Sequence, residues 1–190
     1  MTGYPNPILL DFPDQFETER LILRAPRPGD GVAANEGVRE SMDELRPWMP
    51  WAQTAPSVEE TETYIRQAAA RFVRREDLAF NLWLKSDGRF VGGSGLHRID
   101  WTVPCLEIGY WIRTSLSRQG YVTEAVIGIT AFAFSVLNAQ RLEIRCDARN
   151  ARSAAVAERA GFTLEARFHH HARDVNGDLR DTLVYARFPG

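Results

Sequence analysis

The stretch Arg118-Gln119-Gly120-Tyr121-Val122-Thr123-Glu124-Ala125-Val126 passes from polar residues through one glycine into the most apolar helical pattern of the chain. Behind Gly120, the residues Val122, Ala125, Val126, Ile129, Phe132, Ala133 and Val136 recur with a period of about 3.6 residues. Further apolar residues lie between them, so this helix is expected to be largely buried. The glycine admits two readings. It can be an ordinary strand-to-helix turn, or it can let an anion touch the backbone. The first N–H groups of a helix have no partner within it and together carry about half a positive charge. A phosphate placed there satisfies them. Gly120 has no Cβ to hold such a group away, and Arg118 can add a cation. The stretch fits neither G-x-x-x-x-G-K-[ST] nor G-x-G-x-x-G, which disfavours the common nucleotide loops.

Upstream of this stretch the pattern is that of strands. "LAFNLWLK" (78–85) ends in the turn signal "SDG", then come "RFVGGSGLHRID" (89–100) and "CLEIGYWIR" (105–113), read as three consecutive antiparallel strands. Downstream, "RLEIRCD" (141–147) is another strand. The crossover through the apolar helix sets it parallel to "CLEIGYWIR" or splayed beside it. "NARSAAVAERAGF" (150–162) reads as a short helix with Asn150 as N-cap and Gly161 as its stop. Two strands, around 162–171 and 181–188, finish the chain and are joined by the turn "VNGD". Towards the start, "RLILR" (20–24) is a strand, and Asp30 can cap a helix reaching about Leu45, where Pro47 and Pro50 of "RPWMPW" (46–51) break it. Ser57 and Glu60 have the spacing of a capping box, followed by the helical stripe Thr61, Tyr64, Ile65, Ala68, Ala69 and Phe72. Residues 1–19, rich in Pro and Asp, read as an arm, and 20–190 as one domain. The order β-α-α-β-β-β-α-β-α-β-β describes a mixed α+β protein with helices on both faces of a mixed sheet.

Bulk properties narrow the function classes. A chain of 190 residues with 44% hydrophobic residues can bury a sizeable core in a single domain. A formal charge of −2 argues against general nucleic-acid binding. Cys105 and Cys146 both sit in strand-like stretches and read as free thiols in a reducing compartment. The opening residues lack a basic region and a long apolar run, and no window reaches the length of a membrane span, so a soluble cytoplasmic protein is expected.

Several segments in this order carry a resemblance. The strand "EIGYWI", the loop "RQGYVTEA" and the helix of "DARNARSAAVAERAGF" are similar to the GNAT superfamily of acyl-CoA N-acyltransferases. The opening "ETERLILRAPRPGD", the "LRPWMPW" segment and the closing "GFTLEAR…D…YAR" resemble its ribosomal-protein N-terminal acetyltransferase branch, from Glu17 to Phe188. The resemblance implies the GNAT fold, with the sheet splayed between its two central strands. It implies acetyl-CoA as acyl donor, no metal, and direct transfer to a primary amine in a ternary complex. The acceptor is a protein N-terminus or a small amine, and a homodimer is compatible with it.

Residue by residue, the resemblance lays the pantetheine arm along Tyr110, Trp111, Ile112 and Arg113. It makes Ser117, Arg118, Gln119, Gly120, Tyr121 and Val122, with Thr123 behind them, the pyrophosphate loop. Ser117 stands where Arg or Gln is usual and Val122 where Gly or Ala is usual; Arg118 is the candidate to supply the cation from the next position. Asn150 corresponds to the asparagine that contacts the pantetheine arm, although a plain N-cap explains it equally. Ser153 is implied near the thioester sulfur, where it could protonate the leaving thiolate, or is a second capping hydroxyl.

Acyl transfer asks for a base, an oxyanion donor and a proton for the departing thiolate. A protein α-amine has a pKa of ~8, so a modest base is enough. Glu107, an acid inside an apolar strand and on the same face as Gly109 and Trp111, is the candidate; an ion pair with Arg98 or Arg145 is the alternative. If Glu107 is the base, Glu107→Gln lowers turnover far more than CoA affinity. Trp48, Met49 and Trp51 lie in a Pro-broken loop and read as acceptor contacts or as a plug between helices, with Trp48, Trp51 and Glu107 taken as the substrate residues. On a strand His169 and His171 share one face, and His97 is a third candidate ligand, but no further ligand spacing supports a metal. A pocket-lining or proton-relay role for these histidines stays open. A non-catalytic acyl-CoA-binding regulatory module is the rival reading; in it Glu107 and Ser153 would be dispensable. A nucleotide-phosphate binder is a third, weakened by the missing fingerprints.

Overall fold

The structure, a computed structural model, describes Tyr4 and residues 6–190; Met1 to Gly3 and Pro5 of the expected arm lie outside the described residues. Its strands are β1 (Gln15–Glu17), β2 (Leu21–Arg24), β3 (Leu78–Leu84), β4 (Phe90–Asp100), β5 (Cys105–Ile112), β6 (Arg141–Asp147), β7 (Thr163–Arg173) and β8 (Leu179–Arg187). Its helices are α1 (Gly31–Glu40), α2 (Met42–Leu45), α3 (Val58–Val73), α4 (Tyr121–Ser135) and α5 (Ala151–Arg159). All eight strands share one sheet in the order β1-β2-β3-β4-β5-β6-β8-β7. Among the described residues β5 and β6 are the one parallel pair, and the chain crosses from one to the other through α4.

The α4 helix begins where its sequence period begins. Ala125, Val126, Ile129 and Ala133 are fully buried, and burial of a side chain the size of Val or Ile contributes about 1.5–3 kcal/mol. Leu106 and Ile108 of β5 join the same core as α4. Alternation along the strand sends Trp111 to the other face, against clusters that contain Ala34 and Val38 of α1 and Ile65 of α3.

The feature that shapes the site is the parting of β5 from β6. They pair only at Cys105–Arg141, Leu106–Leu142 and Glu107–Glu143. Beyond Glu107, β5 keeps β4 as its partner as far as Ile112, while β6 continues along β8 to Asp147. The edge of β5 from Ile108 to Ile112 therefore faces an opening in the sheet, as the expected splay requires.

Three local expectations change. Residues 15–17 of the expected arm form an edge strand on β2, and Phe16 stacks on Phe132 of α4 at 4.8 Å between ring centres. A three-residue strand is too short to show a period in sequence. The helix expected from Asp30 to Leu45 is divided at the buried Ser41, whose hydroxyl donates to Gly37 O (2.7 Å) and accepts from Thr114 N (2.9 Å). Asp30 stands at the start of α1 but makes no side-chain cap. Its carboxylate is instead held by Arg24 (2.6 and 2.8 Å), by Arg27 N (2.9 Å) and by Asn81 Nδ2 (2.8 Å). The start of α1 is satisfied from outside, by Glu62 accepting from Gly29 N and Gly31 N. Among the described residues no helix is long and apolar enough to cross a membrane.

Candidate active site

The opening beside β5 is a cleft of about 720 Å³. One wall is β5 itself, at Tyr110, Trp111 and Ile112. The floor is the turn into α4, with Ser117, Arg118, Gly120, Tyr121, Val122 and Thr123. The far wall is α5, with Asn150, Arg152, Ser153 and Arg159. Trp48 and Met49 overhang it.

Gly120 takes φ +84°, a left-handed conformation that disfavours any side chain, so the turn itself demands glycine. It offers no side-chain cap to α4. The first-turn acid, Glu124, accepts from Thr18 Oγ1 (2.6 Å), Arg20 N (2.7 Å) and Arg20 Nε (2.6 Å). A helix start without a side-chain cap, lining a cleft with arginines, suits an anion. Thr114 Oγ1, also on this cleft, is buried with no protein partner, a second polar atom that a bound ligand could satisfy.

Across the cleft, Asn150 Oδ1 accepts from Ser153 N at 3.1 Å, so Asn150 caps α5 while lining the cleft. The Tyr110 hydroxyl lies 3.0 Å from both Ser153 O and Ser153 Oγ. Burial pushes the Tyr110 phenol well above its ordinary range, against a smaller downward pull from its Ser153 hydrogen bond. At neutral pH it is a proton donor and not an anion.

A second cavity, of about 470 Å³, lies on the other face of the sheet between α1, α3 and the β3–β4–β5 strands. Trp51, Tyr64, Ile65, Phe90 and Trp111 give it apolar walls. Trp51 meets Trp111 edge to face at 6.1 Å. Met49, Tyr110 and Trp111 line both cavities, so the two meet at the exposed edge of β5.

The expected site residues separate against this geometry. Tyr110, Trp111, Ile112, Ser117, Arg118, Gly120, Tyr121, Val122, Thr123, Asn150 and Ser153 all line the first cleft. Gln119 does not, and its carbonyl accepts from Arg20 Nη1 at 2.9 Å. Arg113 is turned to Glu40 of α1. Trp48 lies on the first cleft and Trp51 on the second.

Glu107 lines neither cavity. It accepts from Arg98, and Arg145 Nε stands 3.5 Å from the same oxygen, so both ion pairs considered as the alternative are present. The alternation that would set His169 and His171 on one face is interrupted between them: His170 has φ +49° in an irregular stretch of β7. His169 Nδ1 contacts Asp181 (3.0 Å) and His171 Nδ1 contacts Thr182 (3.2 Å), whereas His97 contacts Asp77. Among the described residues no group of three or more His, Cys, Asp or Glu is placed to hold a metal ion. Both cysteines are free thiols.

Sequence reasoning missed three features: the Tyr110–Ser153 hydroxyl pair, the basic α5 face of Arg152 and Arg159, and the His97–Asp77 pair in the second cavity. The first joins residues 43 apart in sequence, so no local pattern could reveal it. The last had a signal, a histidine following Gly93 and Gly95 on one strand face.

Residues 20–163 match the family described as the Acetyltransferase (GNAT) domain, and the chain belongs to that family. It is an acetyltransferase of the GNAT type. The protein named "Putative ribosomal N-acetyltransferase YdaF" of Bacillus subtilis (strain 168) is 30% identical to it over 174 residues, covering 88% of this chain and 91% of that protein. The ribosomal-protein-serine acetyltransferase of Escherichia coli (strain K12) is 27% identical over 143 residues, covering 75% and 78%. Among solved structures, RimL, described as a ribosomal L7/L12 alpha-N-protein acetyltransferase in complex with coenzyme A, superposes with a TM-score of 0.83 at 25% identity, covering 90% of this chain and 95% of that one.

Proposed function

We propose that this enzyme transfers the acetyl group of acetyl-CoA directly to a primary amine, in a ternary complex formed at the exposed edge of β5. The observation that carries the reading is the junction of two cavities at Met49, Tyr110 and Trp111. One cavity has a helix start and arginines suited to a pyrophosphate, and the other has apolar walls suited to an acceptor. A donor and an acceptor entering from opposite faces would meet there without a covalent enzyme intermediate.

In this reading Ser117 to Thr123 hold the pyrophosphate, mainly through backbone N–H groups of the α4 start. Tyr110, Trp111 and Ile112 present their backbone to the pantetheine arm, and Asn150 borders it. An N–H of the exposed β5 edge is the natural oxyanion donor. The Tyr110–Ser153 pair supplies a proton to the leaving thiolate. Trp48 and Trp51 shape the passage between donor and acceptor. Arg113 and Gln119 act at one remove, by fixing α1 and Arg20 against the loop. The ribosomal-protein acetyltransferases among the relatives support a protein N-terminus as the acceptor.

The test is calorimetric titration with acetyl-CoA, beside ATP and dephospho-CoA, followed by thiol release with candidate amines. Acetyl-CoA is expected to bind at least about 100-fold more tightly than ATP, a difference of about 2.7 kcal/mol. Equal affinities would sink the assignment of the α4 start to a CoA pyrophosphate. Binding without thiol release from any N-terminal peptide or small amine would favour the regulatory module instead.

A further inference from the structure

Three titratable side chains line the second cavity and have no part in the reading above: Glu60, which is held in the α3 capping box, Tyr64, and His97. His97 lies on β4, lines the second cavity, and its Nδ1 is 2.7 Å from Asp77 Oδ2. A carboxylate only accepts, so Nδ1 carries the hydrogen and the Nε2 lone pair is free.

The sheet is shaped around this ring. Gly95 precedes His97 by two residues on the same face, and Gly109 is the cross-strand partner of Gly95. A Cβ on Gly95 would first meet the β3 backbone, at 2.7 Å from Leu78 O and 2.9 Å from Ala79 Cα, and then the His97 Cε1 at 3.1 Å. One on Gly109 would lie 3.0 Å from Cδ2 and 3.3 Å from Nε2. Gly95 is kept bare chiefly by the neighbouring strand, whereas at Gly109 the ring itself is the nearest contact, so Gly109 lets the imidazole lie across β5. Nε2 is on the Gly109 side of the ring, one residue from the Tyr110–Trp111 junction of the two cavities.

We propose that His97 is the catalytic base that deprotonates the acceptor amine, with Asp77 as the residue that positions it. The proposal rests on the acyl-transfer reading above. His97 Nε2 takes one proton from R–NH3⁺, and the freed nitrogen attacks the thioester carbon. The N–C bond forms and the C–S bond breaks. The nitrogen's second proton goes to the sulfur through the Tyr110–Ser153 hydroxyls. The products are the amide, the free thiol and protonated His97, which returns its proton to water.

The surroundings of His97 fit a base. Asp77 holds the ring at Nδ1, which leaves Nε2 on the Gly109 side. Tyr64 of α3 stands near Asp77, and Arg71 lies over the Tyr64 ring. Glu107, directly opposite His97 on β5, is engaged by Arg98 and Arg145, which spend its charge. That is the physical reason to place the base on His97 and not on Glu107.

The experiment compares wild type, His97→Gln, His97→Ala, Asp77→Asn and Glu107→Gln. The two acceptor probes are a peptide with a free N-terminal serine followed by uncharged residues, and phenethylamine, matched to the aromatic walls. For His97→Gln, kcat is expected to fall about 100-fold or more. The acidic limb of kcat/KM against pH is expected to disappear, while acetyl-CoA affinity by calorimetry stays within about twofold, a difference under 0.5 kcal/mol. Added imidazole is expected to restore part of the activity of His97→Ala. Asp77→Asn is expected to give an intermediate loss with the limb displaced. Glu107→Gln is expected to lose less than about 10-fold, below the range of a base. An active wild type whose rate and acidic limb survive in His97→Gln would overturn the proposal while leaving acyl transfer intact. So would a His97→Gln or His97→Ala protein that loses acetyl-CoA affinity along with turnover, since that is a structural role. A wild type that releases no thiol with either probe would overturn the acyl-transfer reading for both acceptor classes, and this assignment with it.

Discussion

The helices α3 and α4 begin in opposite ways. At the start of α3, Ser57 Oγ accepts from Glu60 N (3.1 Å) and Glu60 Oε2 accepts from Ser57 N (2.7 Å), so the box closes on itself. At the start of α4 a left-handed glycine provides no cap. The acid in its first turn is drawn outward to Thr18 and Arg20. The start of α1 belongs with α3, since Glu62 caps it from a neighbouring element. The lesson is in the pair itself: the start of α3 is closed by its own side chains, and that of α4 is left without a side-chain cap where it lines the cleft, while α5 combines the two, its start capped by Asn150 on the same cleft.

Substitutions can break that contrast. The largest effect is expected at Asp30, which left its capping role to tie α1 to β2 and β3. Burial would raise its carboxyl pKa, but Arg24, Arg27 N and Asn81 outweigh it and hold it below its usual 3.8. A carboxyl depressed in the folded state stabilises above its unfolded pKa and loses that contribution as pH falls through the folded value. Asp30→Asn leaves Arg24 without its buried partner and is expected to cost about 3 kcal/mol, or roughly 6–12 °C in Tm. It should also flatten the loss of stability on acidification below about pH 4. Thermal melts across pH check both; an unchanged acid limb would mean that other carboxylates set it.

Next comes Gly120→Val. A branched side chain at φ +84° costs about 2 kcal/mol. Relaxing that strain displaces the first turn of α4, so acetyl-CoA binding should weaken by roughly 30-fold. Calorimetry that finds wild-type affinity would show that the α4 start is only a turn. Ser57→Ala is the smallest and is the control. It opens the α3 box at a cost of about 1 kcal/mol in stability, with acetyl-CoA affinity unchanged. A fall in affinity there would erase the distinction between the two helix starts.

Much of the architecture was legible because periodicity and punctuation are local. The stripe behind Gly120, the Ser57–Glu60 box, the glycine after α5 and the three antiparallel strands all follow from spacing and turn chemistry. The division at Ser41 was not legible, because its cause is a hydrogen bond from Thr114, 73 residues away. Glu107 and its two candidate partners, Arg98 and Arg145, were visible in sequence, but that both arginines engage the acid follows from the pairing of β4 and β6 on either side of β5. The base proposed in its place, His97, was visible only as a lone histidine, because Asp77 and Gly109 reach it through strand pairing.

By itself the sequence determined most of the elements and their order, β1 and the division of α1 from α2 excepted, the helical crossover that joins β5 to β6, and a glycine at the start of an apolar helix. These depend on neighbours a few residues apart, where backbone geometry and side-chain period act directly. The tertiary structure alone decided how far β5 and β6 pair before they part, that two cavities meet at Tyr110 and Trp111, and which charged side chains are already taken. Those depend on which distant residues come into contact, and contact partners are chosen by packing the whole core at once.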